Sequence, residues 1–110
     1  MRPRSTLLGS TVLSFSLLRF AFPSAAVRRL SLLGAELAGQ RGDYRSASQG
    51  YLEAAQRYRE PALAERATFA ARFGNEASLI EASALRWREL APQAEAPNRL
   101  LAAFSLQRGD

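Results

Sequence analysis

Apolar and polar residues follow helical spacing along most of this chain. Tyr44, Ala47, Tyr51, Ala54 and Tyr58 recur at intervals of three and four residues, which puts them on one face of a helix. Leu79, Ser83, Trp87 and Leu90 form a similar stripe further along. No stretch keeps the alternation of a strand. The residues between the stripes set the helix ends. Gly42 can take the left-handed conformation that closes a helix, and Asp43 can cap the next one. Pro61 suits a first helical turn, where its missing N–H costs nothing. The pattern predicts five helices, over about residues 28–41, 44–58, 61–73, 76–91 and 95–108, and therefore an all-α fold.

The chain also repeats itself. Residues 33–43, LGAELAGQRGD, and 100–110, LLAAFSLQRGD, are identical at six of eleven positions and lie 67 residues apart. A third copy falls between them, where residues 67–75 read ATFAARFGN. Aligned in this way, the small residues Ala35, Ala67 and Ala102 coincide, as do the apolar Leu37, Phe69 and Phe104 and the glycines Gly42, Gly74 and Gly109. Steps of 32 and 35 residues are those of a helix-pair repeat.

Gly42-Asp43-Tyr44 at the turn, followed by Ala47, Tyr51 and Ala54 on the next helix, resembles the tetratricopeptide repeat (TPR), with Arg59 standing where that pattern has proline. The resemblance covers residues 28–110. It implies antiparallel helix-pair repeats, a TPR-like α-solenoid of about two and a half units, read as a fragment of a longer array. In such stacks each pair buries its apolar face against the next, and the first helices line a concave groove that holds a protein or peptide partner. The family's groove positions carry over to Arg29, Glu36 and Gln40 in the first unit, Thr68 and Arg72 in the second, and Arg99 and Gln107 in the third. Arginines on one surface suit a ligand with carboxylates, because a guanidinium can grip them in a forked geometry. The competing reading is that these are solvated charges on an exposed face.

The first residues are of another kind. Arg2 and Arg4 precede an apolar run from Leu7 to Leu18, and small residues, Ser24-Ala25-Ala26, follow. That order is expected of an export signal cut after Ala26. The run is too short to span a bilayer as a helix, and Arg19 interrupts the apolar character. An organelle transit peptide and an uncleaved anchor remain alternatives. The expected organisation is a signal peptide or N-terminal anchor over residues 1–26 and a helical repeat domain over 27–110. A leader before such repeats further resembles bacterial envelope adaptor proteins, which places the chain in the periplasm or cell envelope, with a membrane-anchored self-assembly subunit as the second functional reading. There, residues 1–26 would hold the membrane and the final helix would meet another copy.

Composition narrows the chemistry. There is no Cys and no His, so thiolate or imidazole metal sites cannot form and the commonest general base is missing. All 15 basic residues are Arg, so lysine Schiff-base chemistry and a phosphate-loop lysine are excluded. The expectation is a binding protein without cofactor, metal, catalytic residues or small-molecule substrate. The formal charge of +5 falls to about +2 without the arginines of the leader, which removes most of the case for nucleic acid. Arg-Gly-Asp occurs at 41–43 and 108–110, at the same place in the repeat, and is read as turn chemistry. Glu76 with Glu81, and Glu53 with Glu60, are read as surface carboxylates. Trp87, Tyr51 and Tyr58 are read as core.

Overall fold

The computed structural model describes residues 24–109. The signal, transit and anchor readings concern residues that lie almost wholly outside that range. Five helices follow one another: α1 (Ser24–Gln40), α2 (Tyr44–Arg57), α3 (Pro61–Phe73), α4 (Ala77–Leu90) and α5 (Glu95–Arg108). Four agree with the sequence-predicted ranges to within a residue, and α1 starts earlier and runs through the expected boundary after Ala26. Each helix packs on its sequence neighbours, and among the described residues there is no strand. The fold is all-α and repeat-like. No described helix is long and apolar enough to cross a membrane.

The turns show why the elements end where they do. Gly42 lies at φ 80°, and behind it the Asp43 amide donates to Ala38 O at 2.9 Å and the Gly42 amide to Gly39 O at 3.0 Å. This paired closure satisfies carbonyls that a helix end leaves free. The Asp43 carboxylate then accepts from the Ser46 amide at 3.2 Å and caps α2. The end of α3 repeats the closure with Glu76 N to Ala71 O at 2.9 Å and Asn75 N to Arg72 O at 3.1 Å. Here, however, the left-handed residue is Asn75, at φ 55°, and Gly74 is right-handed at φ −86°. Gly74 is needed for space: a Cβ there would sit 2.8 Å from Tyr44 Cβ. Gly109, at φ 79°, marks the same point after α5. The left-handed residues are thus spaced by 33 and 34 positions.

Small residues let the first three helices approach closely. Ala35, Ala38, Ala47, Ala55, Ala64, Ala67 and Ala71 are all buried. Gly50 of α2 comes so near α1 that a Cβ would lie 3.0 Å from Ala35 Cβ. Ser48 is buried too, and its hydroxyl donates across the interface to Ala67 O at 2.8 Å. Leu32, Leu63 and Trp87 join Ala54, Ala55 and Ala64 in the main core, with Tyr51, Tyr58 and Leu90 packed against it. The core reading of Trp87, Tyr51 and Tyr58 therefore holds. At full burial of a large apolar side chain, roughly 1.5–3 kcal/mol each, Leu63 and Trp87 dominate this cluster.

Beyond sequence neighbours, α2 and α4 come into backbone contact, reinforced by Arg86 Nε, which donates to Ala55 O at 2.8 Å. The closest approach is therefore between second helices, whereas the groove expectation put first helices side by side. Ala38 of α1 and Ala70 of α3 belong to one buried cluster with Ala47 of α2. The candidate site lies between α3 and α5.

Candidate partner-binding cleft

α3 is the central helix, and it buries Leu63, Ala64, Ala67, Thr68, Ala70 and Ala71. What remains on its outer side is a strip that carries Phe69, Arg72 and Phe73, all exposed. Phe69 is 43% exposed and Phe73 76%, high values for rings of this size. Phe69 meets Trp87 edge-on, with ring centroids 6.2 Å apart, and Phe73 stacks on Tyr44 at 5.7 Å. Tyr44, Phe73 and Phe69 thus form an aromatic band across the surface that ends against the buried Trp87.

Between α3 and α5 this band borders a hollow of about 230 Å3, lined by Phe69, Arg72, Trp87, Ala96, Arg99 and Leu100. A second hollow, of about 380 Å3, continues from it over Phe69, Arg72 and Phe73. Trp87 forms the floor, only 7% exposed, and the two arginines stand at the rim. Exposed aromatic and arginine side chains around a partly desolvated hollow are the composition of protein-interface hot spots.

The charges are asymmetric. No carboxylate lines either hollow. Glu95, four residues before Arg99, pairs with it at 3.4 Å, and both side chains are largely exposed, so the pair is worth little. Arg72 makes no ion pair among the described residues. Three further carboxylates are engaged elsewhere: Glu60 with Arg28, Glu76 with Arg45 at 3.6 Å, and Glu81 with Arg108 at 2.6 Å. The carboxylates read as a surface pair, Glu76 and Glu81, are thus held in separate salt bridges. Burial pushes the Tyr51 phenol above its ordinary pKa, helped by Glu36 and opposed by Arg66. A further hollow of about 180 Å3 over α2 is lined by Gly50, Glu53, Ala54, Arg57 and Tyr58, where opposite charges select no ligand sign.

Of the residues carried over to a groove, Arg72 and Arg99 meet at the cleft. Arg29, Glu36 and Gln40 are exposed on α1 and Gln107 is exposed on α5, and none of the four lines it. Thr68 is a correction. It is fully buried, and its hydroxyl donates to Ala64 O, one turn back in its own helix, at 2.7 Å, so it presents nothing to a partner.

The error has a definite origin. Aligning Gly42 with Gly74 steps the first unit onto the second by 32 residues, whereas the turn geometry aligns Gly42 with Asn75. In that register Thr68 matches the buried Ala35, and the exposed Glu36 and Gln40 match Phe69 and Phe73. The aromatic band thus occupies positions that the first unit had already marked as outward-facing. Reading Asn as the left-handed residue of the second turn would have found it.

No family model matches this chain, and no curated protein is significantly similar to it.

Proposed function

We propose that the chain is a tetratricopeptide-type scaffold that holds a protein or peptide partner on the face where α3 and α5 flank the cleft. The observation that carries this reading is the exposed aromatic band with Arg72 and Arg99 at its rim. Isolated surface apolar residues are ordinary, but a contiguous group over a hollow marks an interaction surface. The near-constant spacing of the turns and the alanine-mediated helix contacts agree with this family assignment. The order of basic, apolar and small residues at the start of the chain supports a place in the bacterial cell envelope.

The test is affinity capture from envelope extract with the full chain as bait. Arg72→Glu with Arg99→Glu removes the captured partner, while Arg29→Glu, on α1 away from the cleft, leaves it. Equal capture by all three baits refutes the reading. Sequencing the N-terminus of the mature protein reports the fate of residues 1–26.

Leu30, Leu33 and Leu37 on α1, together with Leu106 on α5, are exposed and favour a second reading, a self-assembling subunit. Sedimentation velocity of the full chain separates the two: a monomer at micromolar concentration removes the second.

A further inference from the structure

The cleft has a size, a floor and a sign of charge, and together they specify what enters it. Pockets for free small molecules span about 300–1,000 Å3 and enclose most of the ligand. The hollow over Trp87 is smaller, about 230 Å3, on the scale of one bulky side chain. Its continuation over Phe69, Arg72 and Phe73 is lined from a single helix, and so is a shallow surface rather than an enclosure. The shape suits an anchor side chain with the chain that bears it lying across the aromatic band.

The charge is equally specific. Arg72 and Arg99 reach the same hollow from α3 and α5. Neither is neutralised by a lining carboxylate, and the Arg99–Glu95 contact is an exposed pair within one helix that a better acceptor can replace. Beside a low-dielectric aromatic floor, a carboxylate from a partner gains more from a guanidinium than it would in open water. A basic partner would meet two like charges, of which only Arg99 has a carboxylate partner, the exposed Glu95.

We infer that the cleft between α3 and α5 binds an acidic peptide segment of a partner protein. A bulky apolar side chain of that segment seats over Phe69 and Trp87, and an adjoining Asp or Glu is gripped by Arg72 and Arg99. This deepens the scaffold reading and rests on it. Phe69 supplies the wall, Trp87 the floor and the arginines the selection of sign.

The chain carries a single tryptophan, so its emission comes from the floor of this cleft, and an unchanged circular dichroism spectrum separates occupancy from a change in the core. The experiment selects binders from a random peptide library displayed against the full chain. The selected peptides, made synthetically, are titrated while Trp87 emission and peptide anisotropy are followed. The expected binders carry Asp or Glu next to Leu, Phe, Tyr or Trp and shift Trp87 emission. They bind at least about ten-fold more weakly to the Arg72→Glu, Arg99→Glu double variant. Replacing their acids by Lys restores binding to that variant. Both arginines are exposed, so the double variant keeps its fold, checked by circular dichroism. Binders that shift Trp87 emission but lack acids, or that ignore the double variant, overturn this inference and leave the scaffold reading standing. Binders that leave Trp87 silent and tolerate Phe69→Ala overturn both, as does a library that yields no binder.

Discussion

The two sides of α3 are built on different principles. Toward α1 and α2, contact is made by alanine and glycine, with Ala47, Ala67 and Ala71 almost wholly buried and Gly50 near steric contact with Ala35. Toward α4 and α5, fewer residues are buried, and one of them, Trp87, is large. α4 buries only Ser83, Ala84 and Trp87, and α5 only Pro97 and Leu101. Small side chains bring backbones together and leave no gap. Where the rim of Trp87 is not covered, between α3 and α5, a hollow remains. The first side of α3 is therefore suited to rigidity and the second to recognition, and each can be tested by disturbing one and sparing the other.

The largest effect is expected at Trp87, which serves both as core and as cleft floor. Trp87→Ala should cost about 3–5 kcal/mol, as other buried aromatic truncations do. That is a large part of the stability of an ordinary domain, about 5–15 kcal/mol. Urea unfolding followed by circular dichroism measures it. A loss near that of a surface substitution would mean the α4–α5 side contributes nothing to the fold.

Next comes a matched pair. Ala67 and Ala102 coincide when the glycines are aligned, although the turn geometry matches Ala102 with Thr68; Ala67 is fully buried between helices and Ala102 is exposed on α5. Ala67→Leu should destabilise by roughly 1–3 kcal/mol through overpacking. Ala102→Leu should stay within about 0.5 kcal/mol, since leucine forms helices almost as well as alanine. Equal effects would show that the alanine-lined side is not tightly packed.

That pair also shows what sequence could convey. Helix number and boundaries were legible because caps and closures are local: Asp43, Gly42 and Pro61 each act within a turn of their own position. The core was legible where stripes were regular, as at Ala47, Tyr51 and Ala54. The cleft was only half legible. Arg72 and Arg99 were named from the family's groove positions, but Phe69 and Phe73 look like core residues in the register set by Gly74, and only the turn at Asn75 aligns them with the outward-facing Glu36 and Gln40. Thr68 was misplaced because a single residue of register in a helix rotates a side chain by about 100°. Gly74 concealed that shift, being kept for its closeness to Tyr44 rather than for its backbone freedom.

A smaller contrast uses two glycines inside helices. Gly34 has open space where a Cβ would go, whereas a Cβ at Gly50 would press on Ala35 at 3.0 Å. Gly34→Ala should stabilise by about 0.5–1 kcal/mol, the usual gain in a helix interior. Gly50→Ala should forfeit that gain or reverse it. Thermal melts of the two variants decide the matter, and a matching rise in both would mean that α1 is free to move off α2.

The least effect belongs to the first turn, and it is visible only as a dependence on pH. The Ser46 hydroxyl, the Ser46 amide and the charge of Arg41 hold the Asp43 carboxyl below its ordinary value of 3.8, with desolvation opposing them. A carboxyl depressed in the folded state adds stability above its unfolded pKa, and that stability is lost as pH falls through the folded value. Among the second helices, α2 has this side-chain cap and α4 has none, since Glu76 makes no capping bond. Asn caps a helix about as well as Asp, but it does not titrate. Asp43→Asn should therefore match the parent protein near neutrality and lose less stability in acid, below about pH 4, as read from urea midpoints taken across that range. Because Asp43 is fully exposed, the divergence is small. Parallel acid profiles for the two proteins would show that the cap orders the turn through geometry alone, without its charge.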